Sequence, residues 1–355
     1  MTVFAKLTVV IAACCIGQTS SVPATGSPAT GTLGDQPHVE KMLWVGSSSS
    51  YWNYMGKHVA DWLTTESSRK TRYIAHLVWR NGTRIETYLE TAPSGGPILG
   101  LDSGQTVLDR IRDGKYKYVA LQIVTHFMSD PKWGPPQDKA IDVYVKAIRA
   151  AGAEPVFYEQ GWRNDKTKTL DDHRKGQQSL FQAALRNHVN LVAPCATAWD
   201  LVRMEKPDLM LQEPSDRAHP GPLGNFLNCC VFYATLTGKE PRGMPRTLVA
   251  WDHHWSEGYK ADIIPTQVQV APAGDTWKHD PSWKAYIGPY PNHIRGYVGT
   301  IDDQTAAYLE QAAWRVCRDY RSRLNSAENP SQAGSLRHAM RFSERFEDSD
   351  SQMRP

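Results

Sequence analysis

Two short segments, far apart in a chain of 355 residues, hold side chains that could together carry out acyl transfer. Near the start, the apolar run Met42-Leu43-Trp44-Val45 gives way to Gly46-Ser47-Ser48-Ser49-Ser50. Far downstream sits Asp216-Arg217-Ala218-His219-Pro220. A serine hydroxyl is a poor nucleophile until a base removes its proton. An imidazole is the side chain best suited to that task near neutral pH. A carboxylate three residues before the histidine can hold one ring nitrogen while the other faces the serine. A serine run alone marks a loop, and a single Asp-x-x-His is an ordinary surface loop. Together they supply nucleophile, base and orienting group.

These residues need a scaffold. The chain alternates strand and helix signals, which implies a parallel sheet covered by helices. Strands are expected at Met42–Val45, Tyr73–Trp79, Tyr118–Val124, Glu154–Tyr158 and Asn190–Ala193. Helices are expected at Trp52–Thr64, Gln105–Arg112, Ala140–Ala151, Asp171–His188, Pro222–Leu236 and Asp303–Leu324. The first strand then breaks into a turn that leads to a helix. Such a turn brings the serine to the mouth of the sheet, beside backbone N–H groups able to stabilise an oxyanion. Residues 240–300 are rich in Pro, Gly, Trp and His and read as an irregular insertion within one domain spanning 38–325. The polar tail, 326–355, reads as disordered.

The composition narrows the function. A net charge of +3 gives no sign of a nucleic-acid partner. Twelve Trp and fifteen Tyr are enough to line a sugar-binding cleft, although packing accounts for most such residues. Residues 1–21 resemble an export signal: Lys6 supplies positive charge, and Leu7 to Ile16 form an apolar run too short for a permanent membrane span. Ile11-Ala12-Ala13-Cys14 also resembles a lipoprotein processing site, which would leave a lipid anchor on Cys14. Residues 22–37 read as a Pro, Gly, Ser and Thr linker. Cys195, Cys229, Cys230 and Cys317 are not spaced as a zinc site and read as buried thiols, with one disulfide possible after export. Asp252, His253 and His254 read as part of an aromatic loop between Trp251 and Trp255, with no metal implied. Asn81-Gly82-Thr83 is formally a glycosylation sequon and is read as a chance match.

Taken together, Val45-Gly46-Ser47-Ser48 and Asp216 to Pro220 resemble the first and last sequence blocks of the SGNH (GDSL-like) hydrolase superfamily. The resemblance covers about residues 40–240 and the helix Asp303–Leu324. Asp216-Arg-Ala-His-Pro-Gly-Pro-Leu-Gly-Asn-Phe-Leu is similar to a bacterial branch with Asp-Gly-x-His-Pro-x-x-x-Gly-x-Tyr-Leu, and Leu121-Gln122 and Val192 to Trp199 have counterparts there. The resemblance implies a three-layer α/β/α sandwich, flavodoxin-like, with a mostly parallel five-stranded sheet. It implies Ser48 as nucleophile, with Ser47 second, and His219 and Asp216 as base and orienting group. It implies an oxyanion hole from the Ser48 N–H, the Gly82 N–H (Gly95-Gly96 being the alternative) and the Gln122 amide (a buried amide bracing the serine turn being the alternative), and no cofactor. Two departures stand out: Ser47 replaces the usual Asp or Asn, and Gln122 stands where asparagine is usual. The expected function is a secreted or periplasmic serine esterase removing acetyl groups from a glycan. A lipid ester is the second substrate, and a non-catalytic carbohydrate-binding protein on the same scaffold is the rival.

Overall fold

The computed structural model describes residues 37–89, 98–160, 169–212, 219–251, 266–270 and 296–328. Contacts divide the chain into Met1–Gln36 and Pro37–Pro355, and every described residue belongs to the second unit. The export-type leader, Cys14, most of the linker, Gly95, Gly96, Asp216, Asp252, His253, His254 and the tail beyond Glu328 lie outside the described residues.

Five strands form a parallel sheet: β1 (His38–Gly46), β2 (Thr71–Trp79), β3 (Tyr118–Ile123), β4 (Glu154–Glu159) and β5 (Leu191–Ala193), in the order β2-β1-β3-β4-β5. β1 is central: Met42 pairs with Ala75 of β2 on one side and with Tyr118 of β3 on the other. Successive side chains of a strand point to opposite faces. Met42 and Trp44 accordingly join one apolar cluster, and Leu43 and Val45 the other. All four are essentially inaccessible to solvent. That is why β1 reads as a continuous apolar run, as a strand covered on both faces must.

Helices cover the two faces. α2 (Met55–Glu66), α7 (Cys195–Glu205), α8 (Pro222–Thr237) and α9 (Asp303–Glu328) pack on the Met42–Trp44 side. α3 (Val107–Asp113), α5 (Gly134–Ala150) and α6 (Leu170–Arg186) pack on the Leu43–Val45 side. The molecule is thus the expected three-layer α/β/α sandwich around a five-stranded parallel sheet. Each fully buried large side chain, Phe157 and Phe232 among them, contributes roughly 1.5–3 kcal/mol by leaving water. Local signals set helix starts. α3 and α6 each open on a capping box, Thr106 with Asp109 and Thr169 with Asp172, in which hydroxyl and carboxylate satisfy each other's backbone N–H.

Three features differ from the sequence reading. First, the helix expected at Trp52–Thr64 begins earlier and is broken. α1 (Ser48–Tyr51) starts on the serines, a tight turn follows at Trp52–Tyr54, and α2 then runs on. The break sits at Asn53, whose φ of 52° is left-handed. Second, α7 was not expected, because its apolar residues Ala196, Ala198, Trp199, Leu201 and Val202 run on from the three-residue strand β5 without a polar gap. Third, residues 240–300 contain regular structure. β6 (Thr247–Trp251), β8 (Gly296–Ile301) and β7 (Thr266–Val270) form an antiparallel sheet, with β8 in the middle. β6 runs beside the Trp52–Tyr54 turn. The short helix α4 (Thr125–Met128) follows β3 directly.

Candidate active site

With strand order 2-1-3-4-5, the chain reverses direction of winding between β1 and β3. In open α/β sheets ligands bind at such a reversal, outside the carboxyl ends of the strands. The serine turn leaves β1 at that point, and Gln122 sits near the end of β3. The turn needs glycine at its root: a Cβ on Gly46 would lie 2.5 Å from Gln122 Oε1 and against the Ser50 hydroxyl. The Gly46 carbonyl accepts a hydrogen bond from the Tyr88 hydroxyl. Burial pushes the Tyr88 pKa far up, so it remains a neutral donor.

Each of the four serine hydroxyls has a side-chain partner. Gln122 Oε1 accepts from the Ser47 backbone N–H at 2.9 Å and from the Ser50 hydroxyl. Gln122 Nε2 donates to Ser47 Oγ at 2.6 Å and to Gln160 Oε1 at 2.6 Å. Gln160 Nε2 donates to Ser49 Oγ at 3.0 Å. The Ser47 N–H can only donate, which fixes which end of the Gln122 amide is oxygen. Ser47, Ser49 and Ser50 are therefore held by amides. Ser48 Oγ instead lies 2.7 Å from His219 Nε2. With the imidazole proton on Nδ1, Nε2 accepts the Ser48 O–H, which is the arrangement for abstracting that proton. Among the four, Ser48 is the one placed on a base.

His219 comes from the chain just before α8. Its loop is tied down by Gly221 N–H donating to the Leu211 carbonyl at 2.8 Å and by a bridge between Gln212 and Pro220. Asn53 Nδ2 donates to the Pro220 carbonyl at 2.8 Å. The Trp52 indole stacks on the His219 imidazole, with centroids 4.0 Å apart and planes 11° from parallel.

The structure brings Ser48, Ser47, Gln122 and His219 together. Asp216 lies outside the described residues. Gly82 lies in the Arg80–Thr83 turn at the end of β2, closed by Thr83 N–H donating to the Arg80 carbonyl at 3.3 Å. Its φ of 63° is the left-handed geometry a type II turn demands at its third residue. No hydrogen bond among the described residues ties Gly82 to the serine turn. For Gln122 two roles were expected, oxyanion donor or brace of the serine turn, and its contacts are those of a brace. Both its N–H groups are taken up by Ser47 Oγ and Gln160 Oε1, so it braces the turn from below.

Sequence reasoning missed Gln160, Trp52, Asn53 and Glu159. Glu159-Gln160 did carry a signal: two polar residues end an apolar strand at the sheet edge where ligands bind. Glu159 is fully buried, and burial raises its pKa to about 7. This happens against hydrogen bonds from the Thr197 N–H and hydroxyl, at 2.9 and 3.2 Å, which favour the charged form. Among the described residues, no group of three or more His, Cys, Asp or Glu is arranged to hold a metal ion.

No protein-family model matches the chain, and no curated protein matches it in sequence. Several solved structures are similar to it. One is a candidate SGNH hydrolase from Slackia heliotrinireducens, 20% identical, with a TM-score of 0.42, covering 56% of this chain and 100% of that one. Another is a DUF4886 family protein from Bacteroides uniformis, 15% identical, with a TM-score of 0.45, covering 83% and 96% of the two chains. TesA is 14% identical, with a TM-score of 0.39, covering 56% of this chain and 99% of its own.

Proposed function

We propose that this protein is a serine esterase in which Ser48 is the nucleophile and His219 the general base. The observation that carries the reading is the 2.7 Å contact between His219 Nε2 and Ser48 Oγ, at the mouth of a parallel sheet. Ser48 Oγ attacks the ester carbonyl as its proton passes to His219. The imidazolium then returns that proton to the departing alcohol, leaving an acyl group on Ser48. Water, deprotonated by His219, attacks the acyl-serine and frees the acid. Asp216, three residues before the histidine in sequence, takes the orienting role. The oxyanion falls to the N–H groups of Ser48 and Gly82.

The substrate we favour is an acylated glycan losing acetate, in an exported protein. Its support is the leader-like segment over residues 1–21 and the abundance of Trp and Tyr. The test is release of acetate from a panel of acetylated glycans alongside p-nitrophenyl acetate. Turnover of acetylated glycans ahead of long-chain esters is the expected result. Preference for long acyl chains would move the substrate to a lipid ester. No turnover of any ester by the folded protein would overturn the enzymatic reading in favour of a binding protein.

A further inference from the structure

We propose that Trp52 and Asn53 are positioning residues that lock His219 onto Ser48, so that the segment bearing the nucleophile also grips the base. The proposal rests on the assignment of Ser48 and His219 above. Two contacts from consecutive residues converge on consecutive residues. Trp52 stacks on the His219 ring at 4.0 Å and 11°, and Asn53 Nδ2 donates to the Pro220 carbonyl at 2.8 Å. Stacking fixes the plane of the imidazole, and the plane decides where Nε2 points. The amide contact fixes the backbone one residue further on. Trp52 is 6% exposed and Asn53 1%, so neither contact competes with bulk water.

The backbone at Asn53 supports this role. Its φ of 52° is a left-handed conformation, uncommon for a residue other than glycine, although asparagine tolerates it best. Such a conformation persists when surrounding contacts over-determine it. Here Asn225 Nδ2, from the first turn of α8, donates to the Asn53 carbonyl at 3.0 Å, while Asn53 reaches back to Pro220. The break between α1 and α2 is thus tied both to the histidine loop and to the first turn of α8. It lies only five residues beyond Ser48, so one short piece of chain sets the distance between nucleophile and base. In the reaction the stacked indole has a second use. When His219 takes the serine proton, the new imidazolium lies over an aromatic face, an attractive cation–π arrangement.

The test compares wild type with Asn53→Gly, Trp52→Leu, Trp52→Phe and His219→Ala, using p-nitrophenyl acetate kinetics, thermal melting and proton NMR of the histidine ring. Asn53→Gly keeps access to the left-handed backbone and loses only the amide. It should fold with a melting temperature lowered by the unpaired Pro220 carbonyl, yet at a temperature where it is fully folded lose about 10- to 10²-fold in kcat, with KM little changed, the signature of a misplaced reacting group. Trp52→Leu should lose a similar factor, and Trp52→Phe should recover most of it. The His219 C2 proton, identified by its absence in His219→Ala, should move downfield in Trp52→Leu as the indole ring current is lost, and should do so much less in Trp52→Phe. If Trp52→Leu does not fold, Asn53→Gly and the smaller ring-current change in Trp52→Phe still decide the matter. Wild-type kcat in Asn53→Gly and Trp52→Leu, with His219→Ala inactive, would overturn the clamp and leave the base in place. Wild-type activity in His219→Ala would overturn the base itself, and the clamp with it.

Discussion

Four adjacent serines would ordinarily leave the nucleophile ambiguous. Here two glutamine side chains bind three of the four hydroxyls, and the fourth lies against a histidine. Gln122 is the hinge of that arrangement. Replacing it with alanine strips a partner from the buried Ser47 N–H, the Ser47 and Ser50 hydroxyls and Gln160. Each buried group left unpaired costs about 1–3 kcal/mol, part of it relieved by relaxation. Gln122→Ala should therefore lower unfolding free energy by on the order of 3 kcal/mol in urea titration. A variant of unchanged stability with kcat reduced 10²-fold or more would return Gln122 to the oxyanion hole. From the sequence, Gly-x-Ser spacing selected Ser48. The sequence left Gln122 open between an oxyanion donor and an amide bracing the serine turn; what could not be read is Gln160, which arrives from the end of the next strand and takes one of its N–H groups.

Helix placement sets both the position of His219 and a pH-sensitive weak point. α8 begins directly after the His219 loop and lies close against it. A Cβ on Gly224 would fall 2.5 Å from the Trp199 ring and closer still to the Leu211 carbonyl, the acceptor for Gly221. Gly224→Ala should push α8 and the loop apart, costing about 1–3 kcal/mol and lowering ester turnover together with melting temperature. Unchanged turnover in that variant would mean the loop is held independently of α8. At the end of β4, facing the first turn of α7, Glu159 is buried with its carboxyl shifted from 4.5 up to about 7. Since the folded value lies above the unfolded one, the native state favours the protonated form. The stability it confers is complete below about pH 4.5 and is lost as pH rises through about 7. Glu159→Gln cannot ionise, so its stability relative to wild type should rise between pH 5 and pH 8, by an amount on the order of 3 kcal/mol. A difference independent of pH would contradict the raised carboxyl. Strong periodic elements were legible from sequence: β1, β3, β4 and α8 lie close to where apolar runs placed them. α7 and the break at Asn53 were not, since the first is hidden in an unbroken apolar stretch and the second is imposed by contacts with Pro220 and Asn225.

At the scale of the molecule, the sandwich follows from a central strand that is apolar on both faces and must be covered on both. That much was visible in Met42–Val45 and in the strand–helix alternation. The antiparallel sheet β6-β8-β7 was not, because the Pro- and Gly-rich composition of 240–300 masks three short strands. Among the described residues, Cys195, Cys229, Cys230 and Cys317 are all buried free thiols. Burial pushes their pKa values up, that of Cys317 to about 12. Reactivity follows the thiolate, so these four should resist iodoacetamide at pH 8 in the native protein and react together once it is unfolded. All four lie on the Met42–Trp44 side, so stepwise modification without denaturant would show that α7, α8 and α9 open independently of one another.

The central claim is that Ser48, on His219, is the nucleophile. It is tested most directly by reaction with a p-nitrophenyl phosphonate, followed by peptide mapping of the modified protein. The account predicts a single adduct on Ser48, absent in Ser48→Ala and strongly slowed in His219→Ala. An adduct on Ser47, Ser49 or Ser50 with Ser48 untouched, or labelling that proceeds at the wild-type rate without His219, would contradict it.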